Sequence, residues 1–417
     1  MPMRRTAINT ATLLLDFRLA LRNILRQGRR SGIALMAILF GVIAMMLSTG
    51  YIEWINWASR EISTIPQIGH AQISMPGYQD DGHADPYAYL LPERATAWQR
   101  IETLPGVKSV APRLNFHGLV SHGENTLSFI GEGIDPDKDP SRDNVVVVEG
   151  QLLARDDPKG IVMGAGLAAN LGVKTGDSVV LLANTVSGGI NAVEGHVRGL
   201  VSTYMKAFDD STLRIDIELA HELLRTSSAH VWVVSLEETR ATDRLLAQLR
   251  TDAELRTFDI LAWTQLADFY MKTEALFMRQ INVVKLIIAV IIVLSISNTM
   301  IMSVMERTVE IGTAMALGLR RARIQRLFLI EGGLLGVIGG LIGVILGYLA
   351  AIAISAIGIP MPPAPGMSRG FVAGINITPG IAMDALILAV STTLLASLYP
   401  SWRASRLVIV DALRHNR

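Results

Sequence analysis

The chain has 417 residues, of which 50% are apolar and 18% charged, with a mean hydropathy of +0.37. Soluble domains lie nearer a quarter charged, so this composition points to membrane segments. There is no cysteine, which excludes disulfide scaffolds, thiolate metal sites, cysteine nucleophiles and a lipid-modified cysteine. The formal net charge of +1 conceals a segregation: residues 53–274 carry 31 acidic and 19 basic side chains, a net of −12, and the remainder carries +13.

Taken in order, residues 16–29 place Phe17, Leu21, Ile24 and Leu25 among Arg18, Arg22, Arg26 and Arg29, which predicts a basic amphipathic helix on the inner leaflet. Residues 31–52 follow without a charge, long enough to span a bilayer core and too long for a cleavable signal. Tyr51, Trp54 and Trp57 suit an interfacial belt, and helical periodicity runs on to about Ile65 as a stalk. Residues 93–104 read as a helix stopped by Pro105 and Gly106, and 107–110 and 114–120 as strands. Residues 164–171 read as a helix, a turn follows, and 178–182 and 230–235 read as strands, the short valine-rich runs 145–148 and 231–236 as buried ones. Residues 217–225, 239–249 and 254–274 read as helices, the last leading into a second span as another stalk.

Three more uncharged windows follow, 286–305, 332–357 and 385–402, the last extending back to about Ile377. The organisation predicted is therefore 1–30 a cytoplasmic amphipathic helix, 31–52 the first span, and 53–280 an α/β domain with stalk helices. Then come 281–305 the second span, 306–326 a cytoplasmic connecting segment, 327–357 the third span, 358–376 a short loop, 377–402 the fourth span and 403–417 a cytoplasmic tail. The fold class is an α-helical membrane protein with four transmembrane helices and a large mixed α/β periplasmic domain inserted between helices 1 and 2.

Arginine sets the orientation. The segment before the first span, the connection between spans two and three, and the tail together hold sixteen basic residues, against Arg369 alone between spans three and four. That bias puts both termini in the cytoplasm and the large acidic segment outside. The acidic surface also argues against nucleic acid, because phosphate contacts need a basic face.

Chemistry motifs are mostly missing. No G-x-x-x-x-G-K-[ST] run occurs, and residues 172–177 echo it only in letters, so no nucleotide is held by a phosphate loop. The eight histidines are scattered. His117 and His122 could meet across a hairpin, but without ligands at matched spacing no metal is predicted. Asp135, Asp137 and Asp139 lack the glycine and glutamate of a calcium loop and read as a solvated acidic turn. No catalytic residue is assigned.

The specific signal lies between spans two and three. Glu306, Arg307, Glu310, Ile311, Gly312, Ala314, Met315, Ala316, Leu317 and Gly318 run into Arg320 and Arg321, then Glu331, Gly332, Gly336, Gly339, Gly340 and Gly343. Pro400, Ala404, Ala412, Leu413 and Arg414 close the chain with a second pattern. Upstream, 104–107, 111–113, 131–136, 160–166 and 171–177 add shorter matches. This sequence resembles the FtsX-like permeases of type VII ABC transporters, nearest the MacB and LolC/LolE branch, over almost its whole length.

On residues alone, the short apolar helix at 310–318 is either an interfacial connector or a helix laid in a partner's groove. Glu306 and Glu310 sit four apart near its start, where negative charge is favoured. The glycines of span three form two i, i+4 rows suited to close helix packing. Glu331 is expected to snorkel or to pair with an arginine, and Asp384 to be structural.

The resemblance implies docking of an ABC ATP-binding subunit on 306–318, in two copies. It implies no cofactor in this chain, with ATP and Mg in the partner. It further implies a second permease copy or a related permease, membrane lipids as surroundings, a possible periplasmic adaptor or carrier, and the bacterial inner membrane as location. The implied mechanism is mechanotransmission to the outer domain, acting on a lipoprotein, lipid, peptide or hydrophobic substrate. A lipid-bearing substrate would enter beside Leu47, Tyr51, Phe277, Ile281 and Val284. The alternative implied function is a signalling permease that relays ATPase state to a periplasmic enzyme such as a cell-wall hydrolase.

Alkaline phosphatase fused after Asp143 is expected to be active, and fused after Arg321 inactive. The opposite pattern would invert the topology read from the arginines.

Overall fold

The computed structural model describes residues 10–408, apart from 83–84, 93–95, 204 and 364–369. Arg4, Arg5, His83, Arg369, Ala412, Leu413, Arg414, His415 and Arg417 lie outside the described residues. The chain divides into two compact units, one of Met1–Ile55, Glu274–Ile359 and Val372–Arg417, the other of Asn56–Thr273 and Pro360–Phe371.

Among the described residues, four helices are long and apolar enough to cross a membrane: Gly28–Ile68, Asp268–Glu306, Arg321–Ile357 and Pro379–Ser405. Only helices, or closed barrels, satisfy every backbone polar group without water, which is why these apolar runs fold as they do. The first widens into a π-helical stretch at Ser59–Thr64 before ending at Ile68. The fourth begins at a Thr378 cap, whose hydroxyl accepts the Ile381 N–H, with Pro379 at the first helical position. The amphipathic helix spans Thr10–Arg26 and breaks at Gln27 before the first long helix.

The first unit's core runs along these helices. Ile38, Val42, Met45 and Met46 of the first, Ile288, Ile292 and Ile296 of the second, Leu334 and Leu335 of the third, and Ala385, Ala389 and Ala396 of the fourth are buried together. At Gly41 a Cβ would lie 2.9 Å from Ile292 Cδ1, so the first two helices cross closely there. Many other large apolar side chains on these helices, Phe40, Leu286, Leu294 and Ile345 among them, are exposed, as expected of faces that meet lipid.

The second unit is built on a ten-stranded mixed sheet. Its strands are β1 (Ala71–Ser74), β2 (Val107–His122), β3 (Asn125–Ile134), β4 (Val146–Gly150), β5 (Gly160–Gly164), β6 (Ser178–Asn184), β7 (Ile190–Ser202), β8 (Thr212–Asp216), β9 (Val231–Leu236) and β10 (Asp259–Ala262). The order is β10-β1-β9-β2-β3-β8-β5-β7-β4, with β6 pairing β2 and β7. The β3–β8 and β5–β7 pairs are parallel, the rest antiparallel. Helices Ala165–Leu171 and Ile217–Leu224 cover one core with β2, β3 and β5–β8. Helices Thr96–Glu102 and Thr242–Thr251 cover another with β1, β9 and β10.

Several expectations are corrected here. The two strands expected at 107–120 are one 16-residue strand. It pairs β9 over Val107–Arg113 and β3 over Arg113–His122. Pro112 sits where the partner changes, a place where a missing N–H is tolerated. His117 and His122 therefore lie on the same strand, opposite Ile130 and Asn125, and do not face each other across a hairpin. Residues 254–274 are not one helix: a turn precedes β10, which pairs β1, and the long helix starts only at Asp268. Strand pairing overrides helical periodicity there because Ile260 and Ala262 complete a buried core.

The acidic turn is solvated at Asp137 but not at Asp135 and Asp139, which are buried. Asp139 is buried and accepts two hydrogen bonds from Arg113, at 3.0 and 2.7 Å, and one from the Ser141 N–H. Arg113 also donates to the Gln67 carbonyl at 2.6 Å. Burial would raise the Asp139 pKa, but the Arg113 guanidinium outweighs it and holds the carboxylate below its usual range. Asp135 and Asp137 pair with Arg155.

His230 straps the sheet from within. Its Nδ1 accepts the Asn115 N–H at 3.1 Å and its ring stacks on Tyr78 at 5.4 Å. Burial pushes its pKa down to about 4, against the opposing pull of the Pro86 carbonyl. A ring that must stay neutral when folded stabilises fully above its unfolded pKa and loses that contribution as pH falls from about 6.5 towards 4. The full chain in detergent is expected to lose about 3 kcal/mol across that window from this residue. His230→Gln, which keeps an acceptor for Asn115, is expected to flatten the slope in thermal melts. A slope identical to wild type would remove His230 as its source.

Candidate functional site

The Thr308–Ala316 helix joins the second and third long helices. Arg307 leaves helical geometry at its start. At its end, Gly318 takes φ +95°, a left-handed turn open to glycine at no steric cost, and the Leu319 N–H returns to the Ala314 carbonyl. The third long helix begins soon after, at Arg321, so residues 306–326 hold a nine-residue helix and two corners.

Burial divides this helix into two faces. Ile311, Gly312 and Met315 are buried, with the two side chains in the chain's own core beside Ile324 and Phe328. Thr313, Ala316, Leu317 and Gly318 are exposed, Leu317 at 85%, and Ala314 is half-buried. Of the apolar residues expected to meet a partner, Ile311 and Met315 are therefore spent on intramolecular packing, because their spacing of four puts both on the inward face.

The charged residues are not free at the helix start. Glu310 pairs with Arg26, and Glu306 with Arg30. The hydrogen bond from Arg26 holds the Glu310 carboxylate below its usual range. Arg307 lies 3.5 Å from both Glu310 and Glu331 and packs over the Phe328 ring at 6.0 Å. Glu331 is thus a buried acid with an arginine partner. Further along, Asp16 is 0% exposed and holds Arg323 at 3.0 Å and Arg326 at 2.8 Å. Asp16, Arg26, Arg30, Arg323 and Arg326 were not legible as a site. The signals were there: Asp16 is the lone acid among seven arginines, and Arg26/Arg30 repeat the four-residue spacing of Glu306/Glu310. Asp384 pairs with Lys285 at 3.1 Å.

The glycines of the third long helix face two neighbours. A Cβ would lie 1.8 Å from Ser397 Oγ at Gly332, 2.1 Å from Thr393 Oγ1 at Gly336 and 2.8 Å from Leu386 at Gly340, all on the fourth helix. At Gly339, Gly343 and Gly347 it would meet Ile38, Val42 and Met46 of the first helix at 3.0, 2.8 and 3.0 Å. The hydroxyls opposite are satisfied within their own helix, Thr393 on Val390 and Ser397 on Thr393, so they pack as small groups.

The five residues suggested for substrate entry differ in exposure. Ile281 is buried, Leu47, Tyr51 and Phe277 are half-buried, and Val284 is exposed. In the second unit a cleft of about 840 Å³ is lined by Trp98, Trp232, Glu102, Asp135, Lys138 and Arg155 among others. Its charges are largely engaged with one another, Lys138 with Glu102 and Arg155 with Asp135. Among the described residues no group of three or more His, Cys, Asp or Glu is placed to hold a metal ion.

Comparison with known proteins gives the class. The family described as the MacB-like periplasmic core domain matches residues 31–252, more than half of the chain, and the FtsX-like permease C-terminal family matches 282–409. The chain belongs to the FtsX-like, MacB-type family of ABC transporter permeases.

Its relatives narrow the branch. The lipoprotein-releasing system transmembrane protein LolC of Neisseria meningitidis is 24% identical over 94% of this chain and 97% of its own length. The transmembrane protein LolE of the same kind of system in Haemophilus influenzae is 25% identical over 74% of this chain and 79% of its own. A macrolide export ATP-binding/permease protein MacB from Syntrophobacter fumaroxidans is 28% identical over 49% of this chain and 28% of its own. The crystal structure of the periplasmic region of MacB from Actinobacillus actinomycetemcomitans overlaps 50% of this chain and 95% of its own at TM-score 0.35 and 15% identity.

Gly336→Val is expected to lower stability by about 1–3 kcal/mol, the usual cost of overpacking a tight contact, read as a lower melting temperature in detergent. Gly333→Ala, where a Cβ first meets the flexible end of Leu394 at 3.3 Å, is expected to melt near wild type. Equal melting of the two variants would show that the glycine row does not limit packing.

Proposed function

We propose that the chain is the permease subunit of an ABC system of the bacterial inner membrane, driven by separate ATP-binding subunits that dock on the Thr308–Ala316 helix. The observation that carries this reading is the outward face of that helix. Thr313, Ala316 and Leu317 stand exposed beside a core their own chain has already filled. An exposed leucine on a short helix, in a chain of this family, suits insertion into a partner's groove. The sequence holds no phosphate loop of its own, in keeping with ATP and Mg bound in the partner.

The working assembly is two permeases, a second copy or a related chain, with two ATP-binding subunits. Similarity to both LolC and LolE supports a paired arrangement. The arginine bias supports cytoplasmic termini and a periplasmic sheet unit. Four apolar helices with few polar side chains offer no lining for an aqueous pore, which favours mechanotransmission: ATP-driven motion reaches the outer domain through the first two spans. The substrate class best supported by the relatives' names is a lipoprotein or another hydrophobic molecule taken up on the periplasmic side.

Ala316→Arg tests the docking face without touching the chain's own core. Burying an unpaired charge in a partner's groove costs several kcal/mol, and about 1.4 kcal/mol is tenfold in affinity. The variant is expected at wild-type level in membranes, with the co-purifying ATP-binding subunit reduced at least tenfold and with no ATP hydrolysis by the permease alone. Recovery of the subunit at full yield would remove this helix as the docking element.

A further inference from the structure

We propose that Arg26 and Arg30 are positioning residues that clasp the corner between the amphipathic helix and the first span to the corner between the second span and the docking helix, so that a push on the docking helix is passed to the start of the first span. The inference rests on the docking reading above and adds to it the route by which force leaves the helix.

Two helix breaks meet here. One is at Gln27, between the amphipathic helix and the first long helix, and the other is at Arg307, between the second long helix and the docking helix. Arg26 and Arg30 flank the first break, and Glu306 and Glu310 flank the second. The spacing is four residues on each side, about one helical turn. The pairs run antiparallel, Arg26 to Glu310 and Arg30 to Glu306. Between them the Ser303 hydroxyl donates to Gln27 Oε1 at 2.8 Å. The two corners are therefore joined at three points.

A deeper anchor lies beside them. Asp16, 0% exposed, binds Arg323 and Arg326 and so fixes the amphipathic helix to the start of the third long helix. Arg307 ties the second corner to Glu331 on that same helix. The contrast in exposure matters. The Arg26–Glu310 pair is more than half exposed on both sides, and exposed pairs are individually weak. They can hold a corner in register and still release when the helices shift, whereas the Asp16 anchor stays fixed. Without the arginine pairs, force on the docking helix reaches the second and third spans through the backbone, and among the described residues the Ser303–Gln27 hydrogen bond is the polar contact left between the two corners.

The chain's lack of cysteine allows two labels to be placed alone. Spin labels at Ile33→Cys and Met302→Cys, both on exposed positions, report the distance between the two corners in the full permease–ATPase complex, with and without ATP and vanadate. In the parent the distribution is expected to be narrow in both states. Arg26→Glu with Arg30→Glu is expected to keep the ATP-binding subunit bound but to broaden the distribution by about one helical turn, ~5 Å. Adding Glu306→Arg and Glu310→Arg is expected to narrow it again.

If the double reversal accumulates poorly in membranes, Arg26→Gln with Arg30→Gln removes the pairs without repulsion and carries the same expectation. A distribution unchanged by loss of the pairs would overturn the clasp. So would loss of the ATP-binding subunit from the arginine variants, since the arginines would then contact the partner. A swap that stays broad would also overturn it, since the glutamates would then act elsewhere. The docking reading is scored separately by the Ala316→Arg pull-down, so either can fail alone.

Discussion

Helices in an apolar solvent gain nothing by hiding apolar side chains from one another, so they must hold together by close contact. The third long helix supplies that contact. Two rows of glycine on one helix, one towards Ser397, Thr393 and Leu386 and the other towards Ile38, Val42 and Met46, bring backbones to within the reach of a single methyl group. The first and fourth helices are set against it by those rows. The first then meets the second at Gly41, where Ile288 and Ile292 fill the space a side chain would take. The placement of the corner residues at the ends of these helices follows from this packing.

At those ends the physics changes from packing to charge. Asp16, Arg26, Arg30, Glu306, Arg307, Glu310, Arg323, Arg326 and Glu331 find partners there. Their energetic weights are unequal. Asp16 is completely buried against two arginines, and removing one side of such a group strands a charge. The Arg26 pair is exposed and the Arg30 pair half-exposed, and such pairs contribute little to stability one by one. Their interest is geometric, because they join two helix breaks that, among the described residues, are otherwise linked through Ser303 to Gln27. The helix between the corners uses Ile311 and Met315 to stay attached and leaves Thr313, Ala316 and Leu317 outward, which is the division a docking element needs.

The sheet unit solves a different problem, since it must build a core of its own. It does so with two sets of covering helices on one sheet and with β2 long enough to pair one neighbour before Arg113 and another after it. Arg113 marks that change of partner and is itself locked by Asp139 and the Gln67 carbonyl. Arg214 does the same from β8, donating to Glu132 and to the Ser141 carbonyl at 2.7 Å each. The 135–143 segment is therefore pinned by arginines on two strands, with Asp139 buried against one of them.

By itself the sequence determined what depends on local composition. Uninterrupted apolar runs of about twenty residues give spanning helices because backbone hydrogen bonds leave no alternative in lipid. The valine-rich run Val231–Leu236 gives a buried strand, whereas the run at 145–148 leads into β4, whose Val147 and Val148 are exposed; glycine spacing gives a close-packed helix, and the 306–343 motif gives the family. Tertiary structure alone decided which residues those elements meet. Residues 254–274 had helical periodicity, yet Asp259–Ala262 became a strand because β1 offered an open edge. Glu306 and Glu310 looked like charges suited to a helix start, and their partners proved to be arginines 276 and 284 residues earlier in the chain. Asp139 looked solvated, and its partner came from β2. In each case local periodicity fixes the face a side chain occupies, while the identity of its partner depends on chain segments brought together only by folding.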